Sequence, residues 1–144
     1  MAIIRLHEDP GVLTFFQLYH YTLELLNTHP RRRGRTVVLG PMSSNGKLTQ
    51  EENIIRIQRS VNILSDEGWL VLDLVSFQDT VDRLIQELRI PGYPFPVLED
   101  FTIPLIKSRW FQVVHFQVGY QHSIGAVREH AVVVEERLPI RYIR

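Results

Sequence analysis

Apolar residues recur along this chain in two rhythms, one of about 3.6 residues and one of short unbroken runs, and the two alternate. Leu13–Leu26 carries large apolar groups at nearly every turn position, after Asp9-Pro10-Gly11 and before Asn27-Thr28-His29-Pro30. That spacing predicts a helix with a start signal and a stop signal. Its aromatics (Phe15, Phe16, Tyr19, Tyr21) are too many for one face, so packing on two sides is expected. Thr36–Leu39 is a compact apolar run, which predicts a buried strand. Ile54, Ile55, Ile57, Val61 and Leu64 then give helical periodicity over Gln50–Asp66, which Glu67-Gly68 ends. Trp69–Val75 predicts the next strand and Asp79–Ile90 an amphipathic helix. Pro91–Pro96 holds three prolines and predicts a stiff loop. A short helix over Ile103–Trp110, a strand over Phe111–Phe116, a last helix opened by Ser123 and a short strand within Leu138–Ile143 complete the order. On that last helix, Val127, Ala131, Val134 and Leu138 read as the core stripe.

This alternation predicts an α/β fold: a doubly wound, mostly parallel sheet of four to five strands flanked by helices, with an extra N-terminal helix. Residues 1–35 read as a helical extension and basic linker, and residues 36–144 as the α/β domain. Composition narrows the setting. Sixteen basic and sixteen acidic residues among 144 cancel, which argues against binding nucleic acid by bulk electrostatics. Arg31-Arg32-Arg33-Gly34-Arg35 is read as a solvated turn. The absence of cysteine excludes a disulfide scaffold, a thiolate zinc site and a cysteine nucleophile. No run reaches the ~20 apolar residues of a membrane span, and Met1–Glu8 lacks a signal-peptide core, so a cytoplasmic protein with no membrane partner is expected.

In a parallel sheet, ligands sit beyond the C-terminal strand ends. Two loops qualify: Gly40–Gly46 and Val118–Gly125. The first is not a P-loop, because Leu48 stands where Ser or Thr is needed and the glycines are one residue too far apart. No dinucleotide fingerprint occurs, the six histidines have no metal-ligand spacing, and neither a metal nor a cofactor is expected. His115 reads as a core histidine; His122 beside Ser123 reads as a possible ligand contact. Glu129 either complements the dipole of the last helix, which would keep it ionised, or serves as a nucleophile.

At these loops the chain resembles the nucleoside 2-deoxyribosyltransferase-like superfamily, which includes deoxynucleoside-monophosphate N-glycosidases. The resemblance rests on Gly40-Pro41-Met42-Ser43 after an apolar strand, Glu67-Gly68-Trp69 after a helix, and Gly119-Tyr120-Gln121-His122-Ser123-Ile124-Gly125-Ala126-Val127-Arg128-Glu129, closed by Leu138-Pro139-Ile140-Arg141. It spans residues 36–144. It implies a Glu129 nucleophile attacking the anomeric carbon of a deoxyribose. It further implies a substrate site of Gly40, Pro41, Met42, Ser43, Tyr120, His122, Ser123 and Gly125, and a homodimer. In the family, Ser at the position of Ser123 goes with 5′-monophosphate substrates. The chain departs from the pattern at Val37, where the family often has Tyr. It departs again at Pro104, near where the family has Asp; Asp100, one turn earlier, is the candidate, and Glu99-Asp100 equally suits a helix-start cap. Two further readings stay open: a nucleotide-binding module without turnover, and an interaction protein assembled through its first helix.

Overall fold

The computed structural model of the chain describes residues 2–30, 34–42 and 48–144. Five strands form one all-parallel sheet: β1 (Ala2–Ile4), β2 (Arg35–Leu39), β3 (Leu70–Leu72), β4 (Val113–Gln117) and β5 (Ile140–Ile143), in the order β1-β3-β2-β4-β5. The helices are α1 (Phe15–Asn27), α2 (Gln50–Asp66), α3 (Gln78–Glu87), α4 (Phe95–Val97), α5 (Ile103–Lys107) and α6 (Ile124–Glu135). No described helix is long and apolar enough to cross a membrane. The expected doubly wound α/β architecture is therefore present.

Parallel strands must be joined by crossovers, and these put helices on both faces. In β2, Val38 turns to one face and joins Val71 of β3 with Ile57, Val61 and Leu64 of α2. Val37 and Leu39 turn to the other, where they meet Leu72, Val114 and Phe116 from neighbouring strands, Leu18 and Leu26 of α1, and Val132 and Val133 of α6. Both faces of β2 are covered, which is why its five residues are all buried and why Val37–Leu39 reads as an unbroken apolar run.

Local chemistry sets the helix ends. Thr49 and Glu52 form a reciprocal cap at the start of α2, with Thr49 Oγ1 accepting from the Glu52 N–H at 3.1 Å and Glu52 Oε1 accepting from the Thr49 N–H at 3.2 Å. Thr14 Oγ1 caps α1 by accepting from the Gln17 N–H at 3.0 Å. Between α4 and α5 the chain makes a π-turn over Leu98–Thr102.

The described residues ahead of β2 join the same sheet and core. β1 pairs with β3, Ala2 opposite Leu70 and Ile4 opposite Leu72, and Phe15, Leu18, Thr22 and Leu26 of α1 are buried. The segment between β1 and α1 is tied to α3: Glu8 accepts from the Thr80 hydroxyl, and Arg83 Nε reaches Glu8 Oε1 at 2.7 Å.

The stripe expected to bury α6 does not. Val127 and Val134 are 45% and 55% exposed, and Ala131 is exposed as well. The buried residues are Gly125, Ala126, Glu129, Val132 and Val133. The helix carries apolar groups on two opposite sides, so periodicity alone picked the outer one.

Candidate functional site

Strand order places the switch point of the sheet at β2 and β4. From β2 the chain moves outward to β3, then returns to the other side of β2 as β4. At such a point the two adjoining loops splay apart and leave a crevice. A cavity of about 270 Å3 opens there. The end of β2 (Val38, Leu39, Gly40), the turn after β3 (Leu74, Phe77), α3, the proline-rich loop and the start of α6 all line it. Its volume is at the small end of ligand pockets.

Ser123 is the N-cap of α6, its Oγ accepting from the Ala126 N–H at 3.2 Å. Ser123, Gly125, Ala126 and Glu129 all face the cavity. Glu129 is only 7% exposed, and burial raises its pKa from 4.5 to about 7. The Thr102 hydroxyl acts in the opposite direction without matching the cost of burial. Thr102 Oγ1 is buried, lines the same cavity and has no hydrogen bond of good geometry among the described residues. The expectation that the helix start keeps Glu129 ionised is thus corrected. Glu129 lies six residues past the cap, beyond the reach of the first-turn dipole, so desolvation dominates. Its carboxyl is held near the midpoint of ionisation at neutral pH.

Tyr93 was not foreseen. The proline-rich loop carries it over Gly125, where a Cβ would collide with its hydroxyl. Burial and the charge of Glu129 both raise the Tyr93 pKa. Gly125 therefore admits a phenol close to the carboxyl. Three prolines in Pro91–Pro96 are the only sequence sign that this loop presents its aromatics rigidly. Gln78 and Asp82 on α3 also reach the cavity, joined by a 2.8 Å hydrogen bond from Gln78 Nε2 to Asp82 Oδ1. One part of the lining is apolar, from Leu74, Phe77, Val81 and Ile85. Another is polar, from Ser123, Thr102 and Glu129.

The remaining sequence candidates divide. Gly40 and Met42 line the cavity with Ser123, Gly125 and Glu129. Gly40 also answers a packing need, since a Cβ there would lie 2.8 Å from Cβ and Cγ of Gln117. Pro41 is buried and not in the lining; Ser43 lies outside the described residues. Asp100 is exposed and absent from the lining, because it sits on the π-turn beside the buried Phe101 and Thr102. Tyr120 stacks on His130 with ring centroids 4.5 Å apart, on a cluster with Tyr142, away from the lining. His122 is exposed and outside it. His115 is a core residue, 3% exposed and 2.7 Å from Thr36 Oγ1.

Compared with protein families, curated proteins and solved structures, the chain matches none of them.

Proposed function

We propose that this protein is an N-glycosidase or deoxyribosyltransferase that cleaves the N-glycosidic bond of a (deoxy)nucleoside 5′-monophosphate. One observation carries the reading: a buried carboxyl, Glu129, opens into a small cavity at the sheet's switch point, one and a half turns from a capping Ser123 hydroxyl. In this reading the ionised Glu129 attacks the anomeric carbon. The bond from that carbon to the base breaks, and the base leaves with the electron pair and takes up a proton. Water, or a second base, then displaces the sugar from Glu129 and restores the carboxylate. The Ser123 hydroxyl and the free N–H groups at the start of α6 receive the phosphate, and the apolar lining from Phe77, Val81 and Ile85 receives the base. Tyr93 supplies from a loop the phenol that β2, with Val37, does not. The working unit is a homodimer in a cytoplasmic setting, in keeping with the apolar outer face of α6.

A panel of deoxynucleoside 5′-monophosphates incubated with the protein and followed by chromatography tests this directly. Base release is expected, lost by at least about 1000-fold in Glu129→Ala. Its kcat/KM should rise with pH through about 7, since attack needs the ionised form of a carboxyl held there. No release by the wild type, or equal release by Glu129→Ala, would sink the reading. The absence of Asp100 from the lining favours a second reading, a nucleotide-binding module without turnover. Calorimetric binding of a monophosphate with no base release would mark that outcome.

A further inference from the structure

A hydroxyl on a helix ordinarily turns back onto its own backbone, donating to the carbonyl three or four residues earlier. Thr22 donates to Leu18 O at 2.7 Å, Thr28 to Leu25 O at 2.7 Å and Ser108 to Leu105 O at 2.6 Å. Thr102 departs from this. The carbonyl four residues before it belongs to Leu98, and across the π-turn that oxygen accepts from the Ile103 N–H, five residues on. Thr102 Oγ1 is left buried without a hydrogen bond of good geometry, on a residue only 8% exposed. A buried hydroxyl with no partner is destabilising, so its direction calls for a reason.

The surroundings supply one. On one side Thr102 borders a void of about 10 Å3 whose other walls, Val37, Leu105 and Phe111 among them, are apolar. On the other it lines the main cavity together with Glu129, because the π-turn packs against α6. Two polar side chains from different elements, each more than nine-tenths buried, thus share one cavity. One is a donor without an acceptor and the other is a carboxyl. The hydroxyl bears on that carboxyl as a donor does, favouring its charged form. In unliganded sites such bonds are often long or poorly aligned. Other titratable groups near α6 are placed differently. Tyr93 and Asp82 share the lining, but Tyr93 comes in over Gly125, and Asp82 is exposed and holds the Gln78 amide. Glu99, Asp100, Lys107 and His122 are exposed and off the lining, and His115 of β4 is joined to Thr36.

We infer that Thr102 is a positioning residue for Glu129: its hydroxyl donates to one carboxyl oxygen and fixes the side chain with the other oxygen turned to the cavity. The inference rests on the proposed role of Glu129 as the attacking group, and it gives the π-turn a task. Thr102 touches no reacting atom. Its bond to Glu129 is stronger when the carboxyl is ionised, so it holds both the charge state and the pose that attack requires.

Thr102→Val keeps the shape and removes the donor, whereas Thr102→Ser keeps the donor. Carboxyl-carbon NMR of glutamate-labelled protein, with the Glu129 signal identified through Glu129→Gln, reads ionisation without any substrate. Thr102→Val should move the Glu129 midpoint up from about 7 by about one pH unit, and Thr102→Ala should do the same. Thr102→Ser should leave it in place. In base release, Thr102→Val should show the same alkaline displacement of kcat/KM, with kcat about tenfold lower on the alkaline plateau and KM unchanged. An unmoved midpoint in the Val and Ala variants overturns the inference, and so does a Ser variant displaced as far as they are. A raised KM with kcat unchanged also overturns it, since Thr102 would then be a substrate contact. If the wild type releases no base, the proposed activity falls, while the midpoints still decide whether Thr102 holds Glu129.

Discussion

Two buried ionisable groups give the protein opposite pH responses. Glu129 has a folded pKa of about 7 against 4.5 unfolded. Its contribution to stability is complete below the unfolded value and is lost as pH rises through about 7. His115 is lowered from 6.5 to about 4, chiefly by burial and then by the nearby charge of Arg141. Its contribution is complete above 6.5 and is lost as pH falls through about 4. The two slopes nearly cancel between pH 4.5 and 6.5. Glu129→Gln removes one of them, since its neutral amide needs no proton. Urea unfolding should find the variant more stable than the wild type by about 3 kcal/mol at pH 8 and equal to it at pH 4. A wild type as stable as the variant at pH 8 would mean that Glu129 is not desolvated. At this scale the sequence marked Ser123 as the start of a helix with a carboxylate six positions on, and the family resemblance singled out Ser123 and Glu129 as site candidates. It did not reveal the burial of Glu129, nor Tyr93 and Thr102 beside it. Those depend on where the proline-rich loop and the π-turn come to rest, which no local pattern encodes.

Helices were the most legible elements, and α2 most of all, predicted and found over Gln50–Asp66. Its Thr49–Glu52 cap, its apolar period and Gly68 agree with one another. Gly68 ends α2 with a left-handed φ of 97°, its N–H donating to Ser65 O and the next N–H, of Trp69, donating to Leu64 O. The same pair of hydrogen bonds ends α3 and α6, but the left-handed residue there is Arg89 (φ 51°) or Arg137 (φ 56°). A side chain in that conformation is strained where glycine is not. Arg89→Gly and Arg137→Gly should therefore each stabilise by about 0.5–1 kcal/mol, read as a raised melting temperature. A lower melting temperature would show that these arginines make contacts worth more than the strain. What periodicity misread was the orientation of α6. A helix with two apolar sides offers two equally good stripes, and only the sheet decides between them.

Over the whole molecule, alternation of runs and periods was enough to give a parallel, doubly covered sheet, because parallel strands need crossovers and buried strands read as unbroken apolar runs. It did not place residues 2–4 in that sheet. Three residues are too few to show a period, and Ala2-Ile3-Ile4 is indistinguishable from any apolar scrap until Leu70–Leu72 lies beside it.

That pairing has a consequence in time. β2 and β3 are brought together by the single crossover through α2, Thr36 opposite Val71, and their meeting closes a modest loop. β1 is an edge strand whose partner comes much later in the chain, Ala2 opposite Leu70, and it gains nothing until β3 is already in line. Loop closure therefore makes the β2-α2-β3 unit the early event and the docking of β1 a late one. Hydrogen exchange should find the β1 amides opening well before those of β2 and β4, with Glu8 and Arg83 acting as the latch that slows them. The strand nearest the beginning of the sequence would join only after the two that follow it, and would be among the first to leave.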